Sequence, residues 1–337
     1  MARRAGVSHQ TVSRYFTRIE GLKPATRQKI EAVVSELNYR PNLVARSMRA
    51  KRTGRLAMVL PSMPNQMQSG LLAMLATIVE AEGYRLEVVT IVGDAPTRAD
   101  RVLELATSGG FEGILSLSPL PLDPARSPVP VVTTADYDDR MQSQGDLADA
   151  SVVREIIEHL AALGHQDFFH IAGPQTHTAA QNRRVVYERT IEELGLRSHG
   201  VADGDWTGRS GYDALQALPA ATAVTAVVAV NDRAALGAIR AAFERGWRVP
   251  DDISVFGWDD FDMGRYSTPT ISTVAVDREG RARVAIQRLI AAVRGEEPPE
   301  IHHGPTNRII IRESVGPASN GSSRAVEAGR RSFIPVC

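Results

Sequence analysis

Ala5-Gly6-Val7-Ser8-His9-Gln10-Thr11-Val12-Ser13-Arg14 decides how the N-terminal segment is read. Gly6 is free to take the positive φ that ends a helix in a tight turn, Val7 is an apolar plug, and Ser8 suits the N-cap of a following helix. The pattern is that of a helix-turn-helix. From His9 to Thr17 the second helix is expected to bury Val12 and to turn His9, Gln10 and Arg14 outward. His9 and Gln10 fall in its first turn, where a recognition helix meets base edges in a major groove. A glutamine amide matches the N6/N7 edge of adenine and a guanidinium the O6/N7 edge of guanine, so Gln10 and Arg14 suit base reading. Thr11 and Ser13 suit phosphate oxygens, contacts that fix register without reading sequence, and Ser8 is counted with them as a DNA contact.

Outward from that stretch, Ile30, Val33, Val34 and Leu37 recur at helical spacing over about Pro24 to Leu37 and predict one apolar face. Pro24 fits a first turn, but Lys23 stands where a capping side chain is preferred, so this N-terminus is poorly capped. Asn38-Tyr39-Arg40-Pro41-Asn42 stops the helix, and a short basic segment runs from Leu43 to Arg52. Residues 1–55 hold thirteen Arg or Lys against three Glu, a net of +10, so the other 282 residues carry −10 and the zero total hides both. A small basic head on a large acidic body is the asymmetry of a nucleic-acid-binding module joined to something else. A merely solvated basic surface is the bland alternative.

The whole chain, at 337 residues, exceeds what one core organises, so at least two folding units are expected. No apolar run approaches the roughly 20 residues of a membrane span, and no apolar stretch follows the charged N-terminus as in a secretory signal. The single cysteine, Cys337, excludes an intrachain disulfide and a cysteine-rich zinc site. These features point to a cytoplasmic protein with no membrane partner and no bound metal.

From Leu56 onward apolar strands alternate with amphipathic helices. Strands are expected at Leu56–Leu60, Leu86–Ile91, Gly113–Leu117, Val129–Thr133, Phe168–Ala172, Ala226–Val230, Ile253–Phe256 and Arg308–Ile311. Helices are expected at Leu71–Glu82, Val152–Leu163, Arg184–Leu194, Arg233–Arg245 and Gly280–Val293. Such alternation argues for parallel, doubly wound α/β sheets that bind ligands at the carboxyl ends of their strands. Neither a GxGxxG after the first strand nor a P-loop occurs, so no nucleotide cofactor is expected. His165 and His170 lack a nearby nucleophile or metal-ligand spacing, and hydrogen-bonded structural histidines are the better reading. The chain is not read as an enzyme.

The head residues quoted above, with Thr26-Arg27, Glu36-Leu37-Asn38-Tyr39-Arg40-Pro41-Asn42 and Ala45-Arg46, resemble the head and hinge of the LacI/GalR (lactose/galactose repressor) family. The resemblance continues through Leu163-Gly164-His165, Ile171-Ala172-Gly173-Pro174, Val230-Asn231-Asp232 and Pro250 to Asp260, and covers nearly all of the chain to about Gly316. It implies an all-α helix-turn-helix head (1–41), a hinge helix and linker (42–55) and a periplasmic-binding-protein-like (type I) sensor of two Rossmann-like lobes (56–316). Lobe one takes 56–147 plus 277–304, and lobe two 148–276 plus 305–316. Residues 317–337 read as a disordered tail without a leucine heptad, so a homodimer is preferred over a tetramer. Asn42, Ala45 and Met48 then fall on a hinge helix that enters the minor groove, with Met48 where the family commonly wedges a leucine. The family also carries several residues ahead of Ala2, including most of a first helix. The natural start is therefore expected upstream, and a head beginning at Met1 is expected to bury Val7 and Val12 poorly.

The partners so implied are a pseudo-palindromic operator DNA and a small effector, a sugar, bound between the lobes. Asn231 and Asp259 match the family's hydroxyl-binding positions, and Arg183 its ligand-gripping arginine, with Arg184 competing for that role. Trp206 matches a sugar-stacking tryptophan, and Ser62 lies in the loop after the first strand. Arg278 replaces an aromatic residue and would add charge near the cleft, favouring an acidic or oxidised sugar. Capping, surface or core roles are the alternatives for each. A sugar-binding protein with a non-functional DNA head is the competing reading of the whole.

Overall fold

The computed structural model describes residues 1–17, 22–37, 52–61, 69–298, 300 and 305–319. In the head, helix α1 (Ala2–Ala5) ends at Gly6, whose φ of 63° makes the turn, and α2 spans His9–Thr17. The Ser8 hydroxyl accepts the Thr11 amide at 3.1 Å, the expected cap. Helix α3 (Pro24–Glu36) starts after Lys23 with no side-chain cap. Ala5, Ile30 and Val33 form a small core with Met1, Val7, Tyr15 and Val34 packed against it. Val12 is buried and Val7 half-buried. Leu37 departs from expectation: it follows the last helical residue and turns off the apolar face, 38% exposed.

The body contains two four-stranded parallel sheets. The first is built from β1 (Arg55–Leu60), β2 (Arg85–Thr90), β3 (Gly113–Ser116) and β4 (Val131–Thr133), in the order β2-β1-β3-β4. Both faces of β1 are covered, so it reads as a continuous apolar run. Leu56, Met58 and Leu60 pack on α4 (Ser69–Ala81) through Leu71 and Leu75, while Ala57 and Val59 meet Val102 and Ala106 of α5 (Ala95–Thr107).

After α6 (Val152–Ala162), the second sheet repeats the scheme with β5 (Asp167–Ile171), α7 (Thr178–Glu193), β6 (Arg197–Ala202), α8 (Gly208–Gln216), β7 (Ala226–Ala229), α9 (Asp232–Glu244) and β8 (Ser254–Phe256). Its order is β6-β5-β7-β8. Phe168, Val228 and Phe256 face α6 and α7, and Ile171, Val227 and Ala229 face α8 and α9. Helices α8 and α9 meet backbone to backbone: a Cβ on Gly237 would lie 1.8 Å from the Gly208 carbonyl oxygen, and one on Gly211 2.0 Å from that of Ala234. Past the short α10 (Asp262–Arg265), β9 (Thr273–Val276) pairs antiparallel with β10 (Asn307–Ile310), and Val274 enters the second core. Between those strands α11 (Arg278–Arg294) returns to the first core through Ala282, Ile286 and Leu289.

Three differences from the sequence reading have physical reasons. β6 was not expected, because it is an edge strand whose Arg197-Ser198-His199-Gly200 is exposed and offers no apolar run. β9 was also missed, because it opens on Thr273, a polar residue that is buried, and so offers an apolar run of only Val274 to Val276. Helix α7 begins at Thr178 rather than Arg184, because its first turns bury Ala179, Ala180 and Arg183 between polar residues that mask the periodicity. At the far end the Ala318 amide donates to the Leu163 carbonyl at 2.9 Å, so the tie to α6 runs two residues past Gly316.

Candidate functional site

On the head, His9, Gln10 and Arg14 are exposed along α2. Thr11 shares a 2.8 Å hydroxyl contact with Ser8, so both side chains already hold the start of the helix. The Ser13 side chain, and all of Asn42, Ala45, Met48 and Ser62, lie outside the described residues.

In the body, both strand orders reverse beside their central strand, and in the second sheet that crevice lies between the ends of β5 and β7. Arg183 spans it. Helix α7, which follows β5, carries this arginine inward until it is only 5% exposed, and its Nη1 donates at 2.6 Å to the carbonyl of Val230, just past β7. The guanidinium lies 4.0 Å from the ring centre of buried Trp258 and 5.8 Å from that of Trp206. Burial is the main cause that draws its pKa down to about 10, with Arg278 adding to the effect. Arg184, its competitor in sequence, turns outward to Glu188 at 2.9 Å and Asp203 at 3.2 Å.

A cavity of about 250 Å³ opens against Arg183. Trp206 and Asp259 line it from the second sheet, His177 and Ala179 from the start of α7, and Arg278 from the start of α11. Residues 140–143, past β4, close the other side. His177 meets Trp206 edge-on at 5.5 Å, giving the cavity an aromatic corner. Arg278 does not stand as a free charge: its Nη2 donates to Asp259 Oδ1 at 2.8 Å. The expectation that Arg278 charges the cleft is corrected by this pairing, because Asp259 neutralises it.

Among the described residues, four non-glycine residues have positive φ: Met141 (58°), Trp206 (69°), Asp259 (101°) and Asp260 (51°). The first three line the cavity, and backbone strain of this kind costs on the order of 1–3 kcal/mol each. The surroundings hold it in place. Asp138 Oδ1 accepts the amides of Arg140 and Gln142, both at 2.8 Å, which fixes the turn around Met141. Asn231 performs the corresponding task for Trp206: its Nδ2 donates to the Trp206 carbonyl at 3.0 Å, and its Oδ1 caps α9 by accepting the Ala234 amide at 2.8 Å. Asn231 is therefore fully buried behind the wall and is not one of the residues lining the cavity.

Asp232, next in sequence, is also buried; it accepts the Thr273 hydroxyl at 2.6 Å and the Phe261 amide at 2.7 Å. Burial, with Asp259 and Asp260 nearby, pushes its carboxyl up to about 7. His165 holds Thr225 and the Gly316 carbonyl, and His170 stacks on Tyr187 at 4.8 Å. Sequence reasoning missed Arg140, Met141, Gln142, Ser143, His177 and Ala179. The one signal available was Asp138-Asp139-Arg140, an Asx-turn composition after a strand. Among the described residues, no group of three or more His, Cys, Asp or Glu is placed to hold a metal, and no helix is long and apolar enough to cross a membrane.

Residues 1–42 match the model for bacterial regulatory proteins of the lacI family, and residues 157–315 that of a periplasmic binding protein-like domain. The HTH-type transcriptional repressor PurR of Erwinia tasmaniensis is 30% identical over 337 residues, covering 94% of this chain and 95% of the relative. The chain belongs to the LacI family. The lactose operon repressor of Escherichia coli is 28% identical to this LacI-family chain over 330 residues, covering 96% of it and 92% of the relative. Among solved structures, the Lac repressor bound to ONPG in the repressed state matches with a TM-score of 0.70 at 27% identity, over 93% of this chain and 98% of that one. The Lac repressor dimer bound to operator and the anti-inducer ONPF matches with a TM-score of 0.67 at 25% identity, over 94% and 97%. The LacI-family head and the two-lobed parallel α/β body are thus as the sequence resemblance implied.

Proposed function

We propose that this LacI-family regulator is a cytoplasmic repressor that binds a pseudo-palindromic operator as a homodimer and answers to a small sugar held between its lobes. The observation that carries the reading is the composition of the cavity wall. Trp206 and Asp259 follow strands of the second sheet and Arg183 comes from helix α7 packed on it, while residues 140–143 come from beyond the first sheet's last strand, so one ligand touches both lobes. Such a ligand favours one lobe arrangement over another, which is the requirement for coupling to a distant DNA head. Trp206 offers a flat apolar face for sugar C–H groups, while Arg183 and Asp259 offer hydroxyl partners. Asn231 acts through Trp206 as a positioning residue. His9, Gln10 and Arg14 read bases, Ser8, Thr11 and Ser13 hold phosphates, and Asn42, Ala45 and Met48 form the minor-groove hinge. The solved Lac repressor dimer bound to operator and an anti-inducer, similar over 94% of this chain, supports operator and effector binding here.

Fluorescence anisotropy of the full chain on a labelled duplex from its own promoter, at fixed salt with a panel of sugars, tests this. Tight binding that one sugar releases is expected. Binding to no duplex, with a sugar still bound, would instead make the chain a sugar-binding protein with an inactive head.

A further inference from the structure

The cleft does not end at the wall formed by Arg140 and Gln142. Both residues also line a second cavity, of about 790 Å³. Pro119, Leu120 and Pro121, past β3, and Tyr137, past β4, line it from the first lobe. Thr176 and Thr178, where α7 begins, line it from the second lobe. Arg278 lines the first cavity and Tyr137 the second, and the Arg278 guanidinium donates to the Tyr137 hydroxyl, so this pair is part of the partition between them.

Charge does not select what the second cavity holds. Asp138 accepts the amides of Arg140 and Gln142 and, at 3.4 Å, the side chain of Gln144, while Asp139 pairs with the fully buried Arg98. Arg140 is exposed, so solvent and salt screen its charge. What the wall offers is apolar surface, from the two prolines, Leu120 and Tyr137, together with neutral hydrogen-bonding groups. Gln142, shared by both cavities, has a side-chain amide that makes no hydrogen bond among the described residues. An amide both donates and accepts, which suits a chain of hydroxyls and ring oxygens. A sugar ring has the same two characters, C–H faces and a hydroxyl rim.

We propose that the effector is a neutral oligosaccharide of at least two rings, one ring against Trp206 in the first cavity and the next in the second, with Gln142 at the junction. The inference rests on reading the cleft as a sugar site and names the size class of that sugar. Ligand pockets typically measure roughly 300–1,000 Å³. The first cavity, at about 250 Å³, falls short of that range and takes one ring, whereas the second, at about 790 Å³, lies inside it. Both lobes line the second cavity as well, so a second ring adds contacts that depend on how the lobes are arranged.

Calorimetric titration of the full chain with matched sets tests it: glucose with maltose, cellobiose and phenyl glucoside, and galactose with lactose, melibiose and phenyl galactoside. One disaccharide is expected to bind about tenfold to a hundredfold tighter than its component monosaccharides, the return on one or two further hydrogen bonds. Thr176→Trp, at an exposed position, puts an indole into the second cavity, and the advantage of the disaccharide should then be lost. The wild-type ratio needs no variant to fold. A monosaccharide that binds as tightly as every disaccharide containing it overturns the two-ring proposal and leaves the sugar reading standing. A phenyl glycoside that matches the best disaccharide overturns the second sugar ring in favour of an apolar substituent. An advantage that survives in Thr176→Trp overturns the placement in the second cavity. Binding of no member overturns the sugar reading and the inference together.

Discussion

Replacing Asn231 separates two tasks performed by one side chain. Its Oδ1 accepts the Ala234 amide at 2.8 Å and its Nδ2 donates to the Trp206 carbonyl at 3.0 Å, from a fully buried position. Loss of an N-cap costs about 1 kcal/mol, rising to about 2 in unfavourable sites, and burial places this one at the upper end. Loss of the bond to residue 206 costs about 1 kcal/mol more. Asn231→Ala is therefore expected to lower the unfolding free energy by roughly 2–3 kcal/mol. Asn231→Ser retains a capping oxygen but has no donor that reaches the Trp206 carbonyl, so it should cost about 1 kcal/mol. Urea unfolding of the full chain, followed by far-ultraviolet circular dichroism at constant m-value, measures both. Tryptophan emission and effector titration then report on the indole. Both variants should weaken effector binding, since the positive φ of Trp206 loses its tether. Equal losses for serine and alanine would refute the assignment of the cap. Full effector affinity in both variants would refute the positioning role.

Four further outcomes follow from single contacts. Gly237→Ala drives a methyl group against the Gly208 carbonyl, and a loss of about 1–3 kcal/mol or more is expected in thermal melts; a neutral result contradicts the close approach of α8 and α9. Arg278→Met strands the nearly buried Asp259 and should cost about 3–5 kcal/mol, most of it recovered by adding Asp259→Asn; non-recovery shows that the pair is not the source. Asp232, raised to about 7 in the fold, holds its proton more tightly folded than unfolded, so its contribution is full in acid and lost as pH rises through 7. Wild type should therefore lose stability relative to Asp232→Asn by about 1 kcal/mol per pH unit between about pH 5 and 7, and parallel urea midpoints would exclude this. Gln10→Ala should lower discrimination at one base position of each half-site by about 1–3 kcal/mol, read as anisotropy on single-base operator variants; a uniform loss across all variants would instead make Gln10 a phosphate contact.

Local chemistry made the head legible. Gly6 and Ser8 each have one strongly preferred position around a helix turn, and both occupy it. Buried parallel strands such as β1 were legible for the same reason, since two covered faces leave an uninterrupted apolar run. The cavity was only half legible. Trp206 and Asp259 follow strand ends and Arg183 matches a family position on α7, but residues 140–143 join them through a turn whose shape depends on one aspartate accepting two amides. The pairing of Arg278 with Asp259 was hidden because it links residues brought together only when α11 returns to the first sheet. The placement of Asn231 behind the cavity wall was hidden for a related reason. A polar residue after a strand suits both a ligand and the amides of the next helix, and only the fold shows that the amides have it.

Where the chain enters the body, Glu112 grips it. Its carboxylate accepts the Gly54 amide at 2.6 Å and Arg52 Nε at 3.1 Å, while Arg52 Nη2 reaches the Tyr84 hydroxyl at 2.6 Å. The last residues before β1 are thereby clamped to the first sheet ahead of the point where the strand itself would hold them. Such a clamp works as strain relief does on a cable: it removes slack between the moving part and the lead attached to it. On the function proposed, Glu112→Ala leaves effector affinity unchanged and lowers the effector-dependent change in operator affinity, so sensitivity and amplitude come apart at a residue that does not line the cavity.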